Sequence, residues 1–340
     1  MKLLTLLVPC YNSQDYMEKC IQSLLPGGDE VDILIVDDGS HDRTGAIADA
    51  FVRDYPDRVR VIHQENGGHG AGLNTGIANA LGLYFKTVDS DDRLDPDALR
   101  SMLDLIRSYA GQETIPDLIV NDYVYDTADK QAVFGVTYHH VMQPGRLMTW
   151  DTVHHFPIWK QFMIHSLTYR TQMLRDMHLV LPVHTFYEDN IYIYRPLPWV
   201  KTIAYLHKPL YGYFIGRPDQ SVHDDVILRR LDQCTSIAEQ MITSYTLDEL
   251  NKLPHHLRNY MLNNASGQLF TTSALQFIDG HERGVKMNQH MWQTIYDYDP
   301  ALYKALRHNL LGMTTVLPGK LGKKLLVWAY RIGRRAIQFS

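Results

Sequence analysis

Ile33-Leu34-Ile35-Val36-Asp37-Asp38-Gly39-Ser40-His41-Asp42-Arg43-Thr44 passes from four apolar residues to a polar turn and, through Ala46–Phe51, into helical spacing. A short apolar run closed by turn residues reads as a strand buried on both faces, with the helix behind it covering one of them. The same unit recurs. Leu3–Val8 leads to Met17, Cys20, Ile21, Leu24 and Leu25 at helical spacing, with Ser13 as the expected N-cap. Val59–Ile62 leads to Ala71–Ala80, and Tyr84–Val88 to Pro96–Ile106. Repeated strand–helix units predict an α/β domain, Rossmann-like, with a mostly parallel sheet flanked by helices.

Ligands of such sheets bind beyond the carboxyl ends of the strands, and each of these strands ends in a polar motif. Pro9-Cys10-Tyr11-Asn12 follows the first, Asp37-Asp38-Gly39-Ser40 the second, Asn66-Gly67-Gly68-His69-Gly70 the third and Asp89-Ser90-Asp91-Asp92 the fourth. After residue 112 the pattern loosens: Leu118–Tyr125, Ala132–Val136, Ile203–Leu206 and Leu210–Ile215 read as strands between aromatic and histidine-rich loops. From Val222 the pattern is helical, which sets an expected boundary between a domain over 1–222, in halves 1–111 and 112–222, and a helical C-terminal domain over 223–340.

The 340 residues are 45% hydrophobic, ample for a core, which excludes a disordered chain. With 33 basic against 38 acidic side chains the net charge is −5, so no global basic field exists for nucleic acid. Cys10, Cys20 and Cys234 are scattered, as expected of a reducing compartment and not of a disulfide framework or structural zinc. The apolar start breaks at Pro9 without a small-residue cleavage site and reads as a buried strand, not a signal peptide. No apolar run approaches the roughly 18–20 residues of a membrane span. These features imply a cytoplasmic protein, soluble or peripheral at the inner membrane face; a homo-oligomer is compatible with them.

Asp89-Ser90-Asp91-Asp92 concentrates three carboxylates, unfavourable unless a hard cation neutralises them, and Mg2+ or Mn2+ bridging a diphosphate fits. The other reading makes Ser90–Asp92 the cap of the helix beginning near Pro96. At Asp37-Asp38 turn formation explains Gly39 and Ser40 but not two adjacent acids; a carboxylate there can accept from a base N–H or a ribose hydroxyl. The glycine run Asn66–Gly72 lets backbone approach a ligand.

PCYN, VDDGSHDRT, ENGGHGAGLNTG and VDSDD, in this order and spacing, resemble family 2 glycosyltransferases of the GT-A fold over about the first 100 residues, and more weakly to about 222. The resemblance implies a UDP-sugar donor bound in the 1–111 half by Pro9, Tyr11, Asn12, Asp38, Gly68, Asn74, Asp89 and Ser90. Pro9 and Tyr11 line the nucleoside pocket and Asp38 meets the uracil. It implies metal ligation by Asp91 and Asp89. Leu73 stands where many relatives carry an arginine before the asparagine matching Asn74.

Phe186-Tyr187-Glu188-Asp189-Asn190 resembles the family's Glu-Asp motif, which makes Asp189 the base that deprotonates the acceptor; the alternative is an N-cap for a helix starting at Asn190. Tyr211–His223 resembles the family's loop over the donor diphosphate, with Arg217 and Ser221 as phosphate donors and His223 as a further metal ligand. The implied reaction is inverting transfer to a saccharide or lipid-linked glycan, with the 112–222 half receiving the acceptor. One or two of Tyr123, Tyr125, Tyr138, Trp150, Phe156, Trp159, Tyr187 and Tyr192 are expected to contact it. Two other classes compete with this reading: a nucleotide-sugar-binding scaffold without turnover, which has no need of all three acids, and a nucleotidyltransferase, which lacks its glycine-rich basic signature here.

Lys320–Arg335 carries Lys320, Lys323, Lys324, Arg331, Arg334 and Arg335 among Leu321, Leu325, Leu326, Trp328, Tyr330 and Ile332, with no acid. Two readings stand. The helix lies on an anionic membrane surface, or its apolar residues pack on the domain and its cations face water.

Overall fold

The computed structural model describes residues 1–127, 134–215, 224–280, 282–315 and 319–339. Met1–His154 with Phe162–Gly216 packs as one unit, and Arg217–Ser340 with His155–Gln161 as a second.

In the first unit the four strand–helix units form as the apolar runs dictate. They are β1 (Leu4–Cys10) with α1 (Met17–Leu24), β2 (Val31–Asp38) with α2 (Thr44–Asp54), β3 (Val59–Gln64) with α3 (His69–Asn79), and β4 (Tyr84–Thr87). After β4 come a two-residue strand β5 (Arg93–Leu94) and α4 (Pro96–Tyr109). β1 and β2 are buried at every position, which explains why they read as continuous apolar runs. The strands β6 (Leu118–Thr127), β7 (Phe134–Val136), β8 (Leu167–Arg170) and β9 (Ile203–Ile215), with the short helices α5 (Thr171–Asp176) and α6 (Asp189–Tyr194), complete the unit.

The sheet runs β3-β2-β1-β4-β8-β6-β9-β5, with β7 beside β6. β3, β2, β1 and β4 pair in parallel. β8 is antiparallel to both β4 and β6, while β6 and β9 are parallel. One hydrophobic core lies between the sheet and the α1 and α4 side, built on Leu4, Leu6, Met17, Ile21, Ile33, Ile35, Leu99 and Met102.

Several expectations need correction. Ile203–Leu206 and Leu210–Ile215 are one strand, β9, whose register against β6 shifts around Asp122, opposite Pro209; the proline has no N–H to give the ladder and a bulge absorbs it. Ser13 does not cap α1: its hydroxyl bonds Ser90 Oγ at 2.9 Å, and only its carbonyl accepts from Tyr16 and Met17. Ser90–Asp92 do not cap α4 either; Asp95 does, accepting from Asp97 N and Ala98 N. β5 and β8 were not foreseen.

The second unit is helical. It contains α7 (Asp224–Arg229), α8 (Leu231–Ile242), α9 (Leu247–Asn251), α10 (His255–Ile278), α11 (Glu282–Tyr298), α12 (Pro300–Arg307), α13 (Leu310–Thr315) and α14 (Gly319–Phe339). α10 is the central helix and buries Leu257, Met261, Leu269 and Leu275. No helix among the described residues is long and apolar enough to cross a membrane.

Candidate active site

The carboxyl ends of β1, β2 and β4 are tied to one another by their own motifs. Asn12 sits at φ +51, its N–H donates to Ser40 Oγ at 3.0 Å, and its Oδ1 accepts from His41 N at 2.9 Å. Ser13 N–H donates to Thr44 Oγ1, and its hydroxyl reaches Ser90. Pro9 is buried at the end of β1, whereas Tyr11 is half exposed beyond it. Asp37 accepts from Ser40 N and pairs with His63 Nδ1 at 2.8 Å.

Asp38 is bound differently from the sequence expectation. Its Oδ1 accepts from Gln64 Nε2 and Gly67 N, and its Oδ2 from Asn66 Nδ2 and Gly68 N, at 2.6 to 3.1 Å. A carboxylate offers about four lone-pair directions, so the Asp38 carboxylate is saturated within the protein and moulds the glycine loop. Gly68 takes φ +83, a conformation that glycine adopts without penalty.

Asn74, expected among the donor contacts, is also committed elsewhere. Its Nδ2 donates to Leu181 O and its Oδ1 accepts from Leu181 N, both at 2.9 Å, so it fastens the 181–189 segment to α3. Leu73, where an arginine was the expected residue, is fully buried. Gly70 has to be glycine, because a Cβ there would lie 2.2 Å from Pro182 O.

This segment delivers Glu188 and Asp189. Tyr187 before them sits at φ +72, a strained backbone of the kind that collects at functional sites. Asp189 opens α6 in its first turn and makes no capping bond; Glu188 occupies the cap position, also without a side-chain cap bond, so the capping alternative falls away. Glu188 is buried and meets His69 Nδ1 at 2.5 Å, while His69 Nε2 meets Asp89 Oδ1 at 3.2 Å. One imidazole therefore joins the acid of the 188–189 pair to the first acid of Asp89–Asp92. Two flanking carboxylates outweigh burial and hold His69 well above the usual histidine range. Asp189 is pushed up to about 7 by desolvation and by Glu188, with His69 acting in the opposite sense.

His69 was not singled out from the sequence; the signal available was a histidine at the head of a glycine-led helix.

Asp89 is partly exposed, and its ligand atoms come together with those of Asp92 and His165 within 4.8 Å; Asp91, half-buried, lies outside that group. Asp92, just before β5, is held from the neighbouring strand β9 by Tyr211 Oη–H at 2.5 Å and Phe214 N–H at 2.7 Å. Burial, reinforced by Asp89 and Asp91, pushes its carboxyl up. Tyr211 Oη also accepts from Asp89 N at 3.0 Å. His165 stacks on Tyr213 at 4.4 Å, its Nδ1 is buried without a hydrogen-bond partner, and burial lowers it to about 4, leaving a neutral imidazole with a lone pair to offer.

Lys86, fully buried on β4, bonds His165 O, Leu167 O and Asn121 Oδ1 and is pushed down to about 7 by desolvation. Tyr123, Tyr138, Trp150, Phe156 and Tyr192 are core residues, which leaves Tyr125 and Tyr187 nearer the surface and Trp159 fully open. Arg217, Ser221 and His223 lie outside the described residues; the start of their segment, Tyr211–Ile215, is strand β9 and not loop.

Residues 5–166 match the model for glycosyl transferase family 2. The chain carries a domain of this family. The putative glycosyltransferase EpsH of Bacillus subtilis is 31% identical over 221 residues, covering 62% of this chain and 60% of that protein, so the match spans less than two thirds of the relative. Among solved structures, S. aureus TarS 1-349 superposes with a TM-score of 0.67 at 18% identity, over 98% of this chain and 92% of that one. The mannosyltransferase PcManGT from Pyrobaculum calidifontis, solved with GDP-Man and Mn2+, gives 0.54 at 14% identity, over 99% and 86%. At such identities the likeness establishes the GT-A fold of this glycosyltransferase-family domain.

Proposed function

We propose that this protein transfers a sugar from a UDP-sugar to a hydroxyl of a saccharide or lipid-linked glycan, with inversion. The observation that carries the reading is the His69 bridge, which joins Asp89 and the Glu188–Asp189 pair in one connected cluster. The TarS structure solved with UDP-GlcNAc, TM-score 0.53 and 17% identity, supports a uridine donor.

Asp89, Asp92 and His165 bring one ligand atom each within 4.8 Å of one another, a mixed oxygen and nitrogen donor set that fits Mg2+ or Mn2+, with Asp91 next to Asp92 in the sequence. When bound, the cation supplies positive charge to the diphosphate leaving group. Asp189, as carboxylate, takes the proton of the acceptor hydroxyl while that oxygen bonds to the anomeric carbon and the bond to the nucleoside diphosphate breaks. Glu188 keeps Asp189 basic, and His69 neutralises Glu188 and fixes its direction. From the sequence, Arg217 and Ser221 are proposed as donors to the diphosphate and His223 as a further metal ligand.

The test is release of nucleoside diphosphate from a panel of UDP-, GDP- and dTDP-sugars, with Mn2+ and with EDTA. EDTA-sensitive release from a UDP-sugar is the expected outcome. Silence across the panel, with no thermal shift by any donor, favours a binding protein without turnover.

A further inference from the structure

α14 carries two apolar stripes, and only one of them is used by the fold. Leu326 and Tyr330 are buried at 1% and 8% exposure. Leu321, Leu325, Trp328 and Ile332 are exposed at 82%, 51%, 61% and 45%. Their spacing of four, three and four residues puts them on one line along a helix. Neither sequence reading alone describes this: the helix packs on its unit and presents a second apolar face to water.

Charge follows the open stripe. Lys324 and Arg331 are exposed and each precedes a stripe residue by one position, so a cationic row runs beside the apolar line. Lys320 has the same offset in the sequence, and no acid occurs anywhere between Gly319 and Phe339. Lys323 is the cation that turns inward, its Nζ 5.0 Å from the Phe277 ring. On α13 two more large apolar residues are open, Leu310 and Met313 at 71% and 54%. Exposed leucine and tryptophan on a line, flanked by lysine and arginine without acids, match the chemistry of an anionic bilayer interface: acyl chains take the apolar stripe and headgroup phosphates take the cations.

We propose that α14 is an interfacial helix that docks the protein on an anionic lipid surface through Leu321, Leu325, Trp328 and Ile332. The proposal stands on the second unit alone and does not depend on the donor or the chemistry of the first.

The experiment is co-sedimentation of the full chain with phosphatidylcholine vesicles, with and without about 30% phosphatidylglycerol, together with tryptophan fluorescence. The wild-type protein is expected to bind the anionic vesicles with a blue shift that W328F loses. Replacing all four stripe residues by serine should weaken partition by about tenfold or more, and K324E/R331E should weaken it on anionic vesicles only. Because these side chains are already in water, the variants keep the helix melt and donor hydrolysis of the parent. Vesicle binding by the serine variant equal to wild type overturns the proposal. So does a wild-type dimer without affinity for vesicles that the serine variant converts to monomer, since the face then belongs to a second copy.

Discussion

The two halves of the sheet hold their polar residues by opposite means. In the parallel half, the acids after β2 are satisfied within their own turn or by the next strand: Asp42 accepts from Thr44 N, Asp37 from Ser40 N, and Asp38 from the loop that follows β3. In the half made of β6, β8 and β9, partners meet from far apart in sequence, as Tyr211 and Phe214 do when they grip Asp92, or His165 O when it takes Lys86. Local pattern builds the carboxyl-end edge of the parallel strands, and long-range packing gives its acids their direction.

Variants at four positions test that division. Asp189→Asn should cut transfer by about 10²–10⁴-fold while donor affinity measured by calorimetry stays near normal; near-normal turnover would remove Asp189 as the base. The same group sets a pH limb. Its carboxyl is held up at about 7, and as the proposed base it works in the ionised form, so kcat/KM should be lost as pH falls through about 7 and be full above it. A flat profile between the ordinary aspartate range and about 7 would exclude that environment.

His69→Ala breaks the imidazole link between Glu188 and Asp89 and is expected to cost about 10–100-fold in kcat, as loss of a positioning partner does. His69→Gln, which can still donate and accept, should recover part of it. Equal loss in both variants would point to a role for the ring itself.

Tyr211→Phe leaves Asp92 Oδ2 without its buried hydroxyl donor. A loss of about 1–3 kcal/mol in unfolding free energy is expected, read by urea titration. Asp95→Ala removes the cap of α4 in the parallel half and should cost about 1 kcal/mol with unchanged kcat. If Asp95→Ala affected turnover as strongly as Tyr211→Phe, local and long-range support would not be separable.

The same division decides what was legible. Strand–helix alternation and the four carboxyl-end motifs, Asp89 among them, follow from local spacing, whereas the Glu188–Asp189 pair stands out only through the family resemblance. The tasks of Asp38 and Asn74 did not, because each side chain is consumed by backbone brought near it by the fold: Gly67 and Gly68 in one case, Leu181 in the other. His69 and His165 were hidden among 17 histidines. β8 is four residues long and its neighbours are set by β4 and β6, so no periodicity marks it. α14 was ambiguous because one sequence pattern encodes two apolar stripes, and only burial tells them apart.

α3 is held at one end by the loop that Asp38 moulds, and along its length Asn74 and Gly70 seat it against the 181–189 segment, where His184 N also donates to Gly67 O. It is a single strut between the glycine loop and the segment that delivers Glu188 and Asp189, and under the proposed function a donor would bind beside the one and an acceptor beside the other. A ligand that displaces the strut on one side alters the free energy of binding on the other, and thermodynamic linkage makes the exchange reciprocal. Whatever factor the nucleotide sugar imposes on the acceptor's affinity, the acceptor must return in equal measure.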